Sequence, residues 1–201
     1  MTGDRPTLAE QRGVETVYQP AEDSRLLAET VLESIGDTDI GGEDPLLLDV
    51  GTGSGYVAQR LRDDGGVRVV GADLNPEACE QAAERGLPVV RANLLDPFRA
   101  DTFDVVVCNP PYLPTPPDQE WDDWMERALS GGADGRAVID PVLDDIGRVL
   151  APGGVAFLLL SSLTDPDAVQ AQAEAAGLAW TVLAEEAHPF ETLFVYRFQP
   201  K

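Results

Sequence analysis

Asn109-Pro110-Pro111-Tyr112 combines residue types that suit a reluctant nitrogen nucleophile. The lone pair of an amide or exocyclic amine is delocalised into the neighbouring π system, so such a nitrogen attacks only when it is held and aimed. Two acceptors, the Asn109 side-chain oxygen and the Pro110 carbonyl, can take its two hydrogens and leave the lone pair pointing at a methyl group. Pro110 and Pro111 hold φ near about −65° and stiffen the segment, so carbonyls are presented at little ordering cost. Tyr112 offers a flat wall for a planar target. A site of this kind works by position and electrostatics, with no covalent intermediate. Pro-Pro alone would read as a strand terminator. All four residues closing the apolar run Val105–Cys108 favour the catalytic reading.

A second group of residues could hold the other reactant. Leu48-Asp49-Val50-Gly51-Thr52-Gly53-Ser54-Gly55 reads as a strand running through a glycine turn into a helix. Gly51, Gly53 and Gly55 permit a tight turn and let a ligand approach the backbone. A dinucleotide fingerprint would want a small residue where Tyr56 stands, and no lysine is present for a phosphate-binding loop. The G-x-G-x-G spacing suits a nucleoside ligand without a pyrophosphate, such as S-adenosylmethionine. Asp73, 22 residues beyond Gly51 at the end of the next apolar run, can accept from both hydroxyls of a ribose. Its plainer alternative is a helix-capping aspartate. Asp49 could hold the ammonium of a methionine moiety, directly or through water.

The elements that must position these groups follow from the hydrophobic pattern. Leu46–Val50, Arg68–Asp73, Val89–Val90, Phe103–Cys108 and Val155–Leu160 are short, nearly continuous apolar runs, as expected for parallel strands buried on both faces. Between them, Tyr56–Arg62, Pro76–Arg85, Arg136–Leu150 and Asp165–Ala176 read as helices. Ala179–Leu183 and Leu193–Phe198 read as a closing antiparallel pair. An α/β fold is expected: an open, mostly parallel sheet with helices on both faces. Residues 1–201 are expected to form one domain, with residues 1–45 a helical leader and 46–201 the core. Leu113–Glu120, rich in proline, and the following stretch through Trp121, Trp124 and Gly131–Gly135 are long and irregular, which favours a functional loop. Trp121 and Trp124 could line a groove there or simply pack the loop.

Composition sets the boundaries. The 201 residues carry 36 acidic and 14 basic side chains, a net charge of −22, and a single lysine. This acidity is spread along the chain and predicts adaptation to molar salt, where the Debye length falls to about 3 Å and self-repulsion is screened. It argues against a phosphate-binding surface, since nucleic-acid affinity comes largely from Lys and Arg. No run approaches the ~18 apolar residues of a membrane helix, and the polar N-terminus has no signal-like apolar stretch. A cytoplasmic protein is expected. Cys79 and Cys108 have neither the number nor the spacing for a disulfide framework or a zinc site, so no metal is expected. The lone His188 is assigned no role.

Taken together these motifs resemble the Rossmann-like class I S-adenosylmethionine-dependent methyltransferases, and within them the HemK/PrmC-type glutamine methyltransferases of peptide release factors. The resemblance runs from Val17-Tyr-Gln-Pro-Ala-Glu-Asp-Ser24 to Glu191-Thr-Leu193. Leu48–Gly55 resembles the family's cofactor loop, Asp73-Leu74-Asn-Pro76 its ribose turn and Asn109–Tyr112 its catalytic motif. Met125-Glu126 with Gly131-Gly132-Ala-Asp-Gly135-Arg136 resembles the archaeal and eukaryotic branch, which lacks a helical N-terminal domain. The resemblance implies a seven-stranded sheet and a cofactor set of Ser24, Asp49, Gly51, Gly53, Gly55, Asp73, Leu74, Asn93, Leu94 and Asn109. Ser24 equally reads as part of a helix start. Asn93 stands where an aspartate is common, and Leu129 and Ala137 stand where this branch has a tryptophan and a glutamate. The implied substrate is the glutamine of a Gly-Gly-Gln motif in a class I release factor. The implied partner is a small zinc-binding activator protein, forming a heterodimer by pairing with the sheet edge near Pro88–Arg91.

Two other readings compete. An enzyme methylating adenine N6 in DNA or RNA would need the same two acceptors, but also phosphate contacts that this acidic chain supplies poorly. A non-enzymatic scaffold would keep its function after Asn109→Ala.

Overall fold

The structure is a computed structural model that describes residues 16–37, 40, 42, 44–116 and 124–201. In chain order the described elements are α1 (Glu22–Asp37), β1 (Leu46–Val50), α2 (Tyr56–Gly65), β2 (Arg68–Asp73), α3 (Pro76–Glu84), β3 (Val89–Arg91) and β4 (Phe103–Cys108). They continue with α4 (Trp124–Leu129), α5 (Ile139–Val149), β5 (Leu150–Ser161), a 3₁₀ turn (Ser162–Thr164), α6 (Pro166–Ala175), β6 (Leu178–Ala187) and β7 (Thr192–Pro200). Trp121 and the segment 117–120 of the proline-rich loop lie outside the described residues.

Seven strands form one sheet in the order β3-β2-β1-β4-β5-β7-β6. The first five are parallel, and β7 runs antiparallel to both β5 and β6. Strand periodicity explains why the central runs read as continuously apolar. In β4, Val105 and Val107 join the core beneath α1 and α2, while Val106 and Cys108 join the core beneath α5 and α6. In β5, Val155, Phe157 and Leu159 face the first core and Ala156, Leu158 and Leu160 the second. Both faces are covered by helices, so both sets of alternating positions are mostly apolar.

Local signals set most boundaries. Asn75 caps α3 by accepting from the Glu77 N–H at 3.0 Å, and Pro76 occupies the first turn, where its missing N–H is harmless. Asp165 and Pro166 start α6 in the same way. Several boundaries differ from the sequence reading: β6 runs on to Ala187 and α2 to Gly65, and three further differences have a local cause. β5 begins at Leu150, before the Pro152-Gly153-Gly154 turn, because the chain pairs once with Phe103, bulges, and resumes pairing at Val155. A Cβ at Gly154 would stand 2.9 Å from the Phe103 carbonyl, so only glycine admits that approach. α5 begins at Ile139, because Arg136 is drawn into the loop by Asp134 at 2.7 Å and the Thr164 carbonyl at 3.2 Å. α4 occupies six residues read as irregular, too few for a propensity signal. Among the described residues no helix is long and apolar enough to cross a membrane.

The strand order reverses direction between β1 and β4. The glycine loop after β1, Asp73 at the end of β2 and Asn109 after β4 are therefore delivered to one edge of the sheet, the position where open α/β sheets bind ligands.

Candidate active site

A cleft of about 860 Å³ opens at this edge, lined by the glycine loop, the ends of β2 and β4, the strap Val17–Pro20 and α4. The loop is held over β2 by the Gly51 and Thr52 N–H groups, which both donate to the Ala72 carbonyl, at 2.8 and 2.9 Å. Gly51 and Gly53 adopt φ of 69° and 53°. An added Cβ at Gly51 would meet nothing within 4 Å, so the loop's backbone stands open to a ligand. Gly55 has a different reason. A Cβ there would lie 2.8 Å from Leu87 Cδ1 and 3.0 Å from Ala82, so this glycine lets α2 start close against α3.

Asp73 lines the cleft with both carboxylate oxygens already engaged: Oδ2 accepts from the Gly53 N–H and Oδ1 from the Asn75 N–H, each at 2.8 Å. Each oxygen retains acceptor capacity for a ribose hydroxyl. Burial pushes its pKa up, against the pull of these backbone donors. Asp49 is 2% exposed and accepts from the Thr52 hydroxyl at 2.7 Å. Burial raises its pKa to about 6, with the Thr52 hydrogen bond opposing. Leu74 and Leu94 also line the cleft, Leu94 with a φ of 48°, as does Asn93, whose amide donates to Asp96 at 3.0 Å.

Asn109, Pro110 and Pro111 form the opposite wall. The Asn109 Nδ2 donates to Asp23 Oδ2 at 3.1 Å and to Ser24 Oγ at 3.3 Å. Its Oδ1 is buried without a hydrogen-bond partner. Ser24 lies in the first turn of α1 and also lines the cleft. Tyr112 departs from the expectation. It does not line the large cleft. It lines a second hollow of about 310 Å³ together with Tyr18 and Asp23, because the chain turns outward after Pro111 to pair Leu113 with Ser130. Burial, with Asp23 and Glu191 nearby, pushes the Tyr112 phenol well above its ordinary value. The two hollows meet at Tyr18, which lines both and donates to Asp23 at 3.2 Å.

Trp124 lines the cleft, with the Arg127 guanidinium 5.2 Å from its ring centre. His188 sits 3.2 Å from the carboxylates of Glu22 and Glu186, tying the β6–β7 hairpin to the start of α1. Its Nε2 is poorly aligned for a hydrogen bond to Glu186. Cys108 is buried and Cys79 partly so, and both thiols are free. The described residues contain no cluster of metal-ligating side chains. Among the described residues β3 is a sheet edge, paired only with β2, as the resemblance implies. Sequence reasoning missed Asp23, Tyr18 and Thr52; the acidic pair Glu22-Asp23 at a helix start was the available signal for the first.

The cleft fits S-adenosylmethionine: an open backbone turn, a carboxylate at the end of β2, a buried carboxylate for a cation and an unsatisfied acceptor converge in one volume. Comparison with known proteins agrees. The methyltransferase domain family matches residues 47–132. The chain is 35% identical to a Methanocaldococcus jannaschii protein described as a protein N5-glutamine methyltransferase, over 89% of each chain. It is 32% identical to the human methyltransferase HEMK2, covering 90% of this chain and 89% of that one. Among solved structures, the E. cuniculi Mtq2–Trm112 complex, responsible for methylation of the translation termination factor eRF1, has a chain that superposes with a TM-score of 0.74 at 31% identity. The match covers 93% of this chain and 100% of that one. The class I methyltransferase fold, together with identity of this extent along almost the whole length, places the chain in the family of HemK/PrmC-type S-adenosylmethionine-dependent glutamine methyltransferases.

Proposed function

We propose that this protein methylates the side-chain nitrogen of the glutamine in the Gly-Gly-Gln motif of a class I peptide release factor. The observation that carries this reading is the Asn109 Oδ1, a buried acceptor with no partner among the described residues, at a cleft shaped for a nucleoside. A buried acceptor left unsatisfied is destabilising by about 1–3 kcal/mol, so it is expected to have a partner in the working complex. A glutamine amide supplies one: an N–H donated to Oδ1, with the second N–H donated to the Pro110 carbonyl. S-adenosylmethionine supplies an activated methyl group carried on a sulfonium. Gly51, Gly53 and Gly55 would shape its loop, Asp73 would accept from its ribose, and Asp49 would hold its ammonium. Ser24, Leu74, Asn93 and Leu94 complete the wall. Held by the Asn109 Oδ1 and the Pro110 carbonyl, the glutamine nitrogen would be aimed at that methyl group, with the donor leaving as the neutral thioether and the nitrogen's surplus proton passing to solvent. Pro111 and Tyr112 stiffen the segment behind Asn109 and Pro110.

The reaction belongs to a single domain, residues 1–201, of a cytoplasmic enzyme adapted to salt. Its partner is a small zinc-binding activator protein, forming a heterodimer along β3. That edge leaves Val90 exposed at 38%, and the E. cuniculi relative was solved as a complex with Trm112. An apolar, unpaired edge of this kind calls for cover.

The test offers the protein methyl-labelled S-adenosylmethionine in molar salt, with either a release factor containing Gly-Gly-Gln or an adenine-rich oligonucleotide. Each is tried with and without a candidate zinc-binding partner. Label on the glutamine that Asn109→Ala abolishes is the expected result. Label on the oligonucleotide alone would overturn it.

A further inference from the structure

Asp23 is a buried carboxylate that no ion pair among the described residues explains. It lies in the first turn of α1 and is 5% exposed. Three donors hold it: its own neighbour's Ser24 N–H at 2.5 Å on Oδ1, and the Tyr18 hydroxyl at 3.2 Å and the Asn109 Nδ2 at 3.1 Å, both on Oδ2. The consequence falls on Asn109, 86 residues away. A carboxamide has two orientations of nearly equal shape, with oxygen and nitrogen exchanged. With the acceptor-only Asp23 carboxylate as a neighbour, one is favoured; the Ser24 hydroxyl can accept or donate and serves either. Turning the amide over would set its oxygen against the Asp23 carboxylate and lose that hydrogen bond. The observed orientation leaves Oδ1 buried and unpartnered.

We propose that Asp23 is a positioning residue for methyl transfer: it locks the Asn109 amide with its oxygen free for the target nitrogen, and polarises that oxygen. This rests on the glutamine reading above. The negative charge behind Nδ2 draws the amide dipole toward itself and makes Oδ1 a stronger acceptor, as in any hydrogen-bonded chain in a low-dielectric site. The gain is larger in the transition state, where the target nitrogen's hydrogens become more acidic as it bonds to carbon. Asp23 therefore acts on kcat. A carboxylate that served only to attract a cationic methyl donor would act on that donor's affinity instead.

The experiment compares Asp23→Asn, Asp23→Ala, Asn109→Asp and the reciprocal double variant Asp23→Asn/Asn109→Asp, in molar salt with the activating partner. Methyl transfer to the glutamine is followed, and donor affinity is measured by calorimetry. Asp23→Ala is expected to lower kcat by ~10²-fold, the scale of a misplaced reacting group, with donor affinity within about threefold. Asp23→Asn can still accept from Nδ2 and is expected to lose about tenfold. Asn109→Asp sets two carboxylates face to face, and the double variant relieves them, recovering at least about tenfold over Asn109→Asp alone. A readout without catalysis accompanies these: the side-chain NH₂ resonances of Asn109, assigned by their loss in Asn109→Ala. The hydrogen-bonded proton is expected downfield in the wild type and shifted upfield in Asp23→Ala. Variants that change donor affinity alone, a double variant no better than Asn109→Asp, or Asn109 resonances indifferent to Asp23 would each overturn the proposal. If the wild type methylates no glutamine, the functional reading fails by itself, and the Asn109 resonances still decide whether Asp23 holds the amide.

Discussion

Replacing Asp49 with asparagine should separate what the fold wants from what the cleft wants. The carboxyl is 2% exposed, and burial moves its pKa from an ordinary 3.8 to about 6. At neutral pH the ionised group therefore destabilises the ligand-free protein by about 3 kcal/mol. The folded carboxyl keeps its proton up to about pH 6, whereas the unfolded one releases it near 3.8. The contribution of this residue to stability is thus most favourable at the acid end and declines as pH rises to about 6, then stays flat. The substituted amide would still accept from Thr52 but brings a buried NH₂, which takes back about 1–3 kcal/mol if unpaired, independent of pH. The secure quantity is the pH dependence of the difference. Of the ~3 kcal/mol, about 2 should develop between about pH 4.5 and 7.5. Urea unfolding in molar potassium chloride across that range, wild type against Asp49→Asn, measures it directly. The variant should gain on the wild type steadily up to about pH 6 and run parallel above it. S-adenosylmethionine at a hundredfold excess over its Kd should stabilise the wild type by about 2.7 kcal/mol, and the variant far less. Stability curves that stay parallel from acid to neutral pH would refute the burial argument. Equal stabilisation by S-adenosylmethionine would refute the role of Asp49 in binding it.

Gly55→Ala should destabilise the fold by about 2–4 kcal/mol, read from urea midpoints, since its Cβ collides with Leu87 and Ala82 at a φ of 80°. Gly51→Ala, with a φ of 69° but open space around the Cβ, should cost only about 1 kcal/mol. Dialysis from molar to low salt should lower the melting temperature, because a chain of net charge −22 loses its screening; a melting temperature indifferent to salt would show that the charge is merely tolerated. Val90→Lys on β3 should weaken capture of the activating partner at least about tenfold in a pull-down or calorimetric titration, while leaving the chain folded, because it places a charge on the exposed edge. Unchanged capture would move the partner elsewhere.

The elements that carry the site were legible because their signals are local. The strand–glycine turn–helix of residues 46–65, the carboxylate closing β2 and the capped start of α3 each depend on neighbours within a few positions, and chain order alone brings three strand ends to one edge. The continuous apolar runs announced a sheet covered on both faces, and the alternation of Val105, Val106, Val107 and Cys108 between two cores bears this out. Three features depended on contacts between distant segments. Gly55 is required by Leu87 and Ala82, residues that local spacing cannot bring together. Tyr112 turns into the hollow beside Tyr18, because the bridge from Leu113 to Ser130 redirects the chain after Pro111. Asp23 meets Asn109 across 86 residues, because α1 packs beside the sheet edge where β4 ends. A motif states which groups are present. Which way the Asn109 amide faces is decided by the hydrogen bonds of its neighbours, and those exist only in the folded chain.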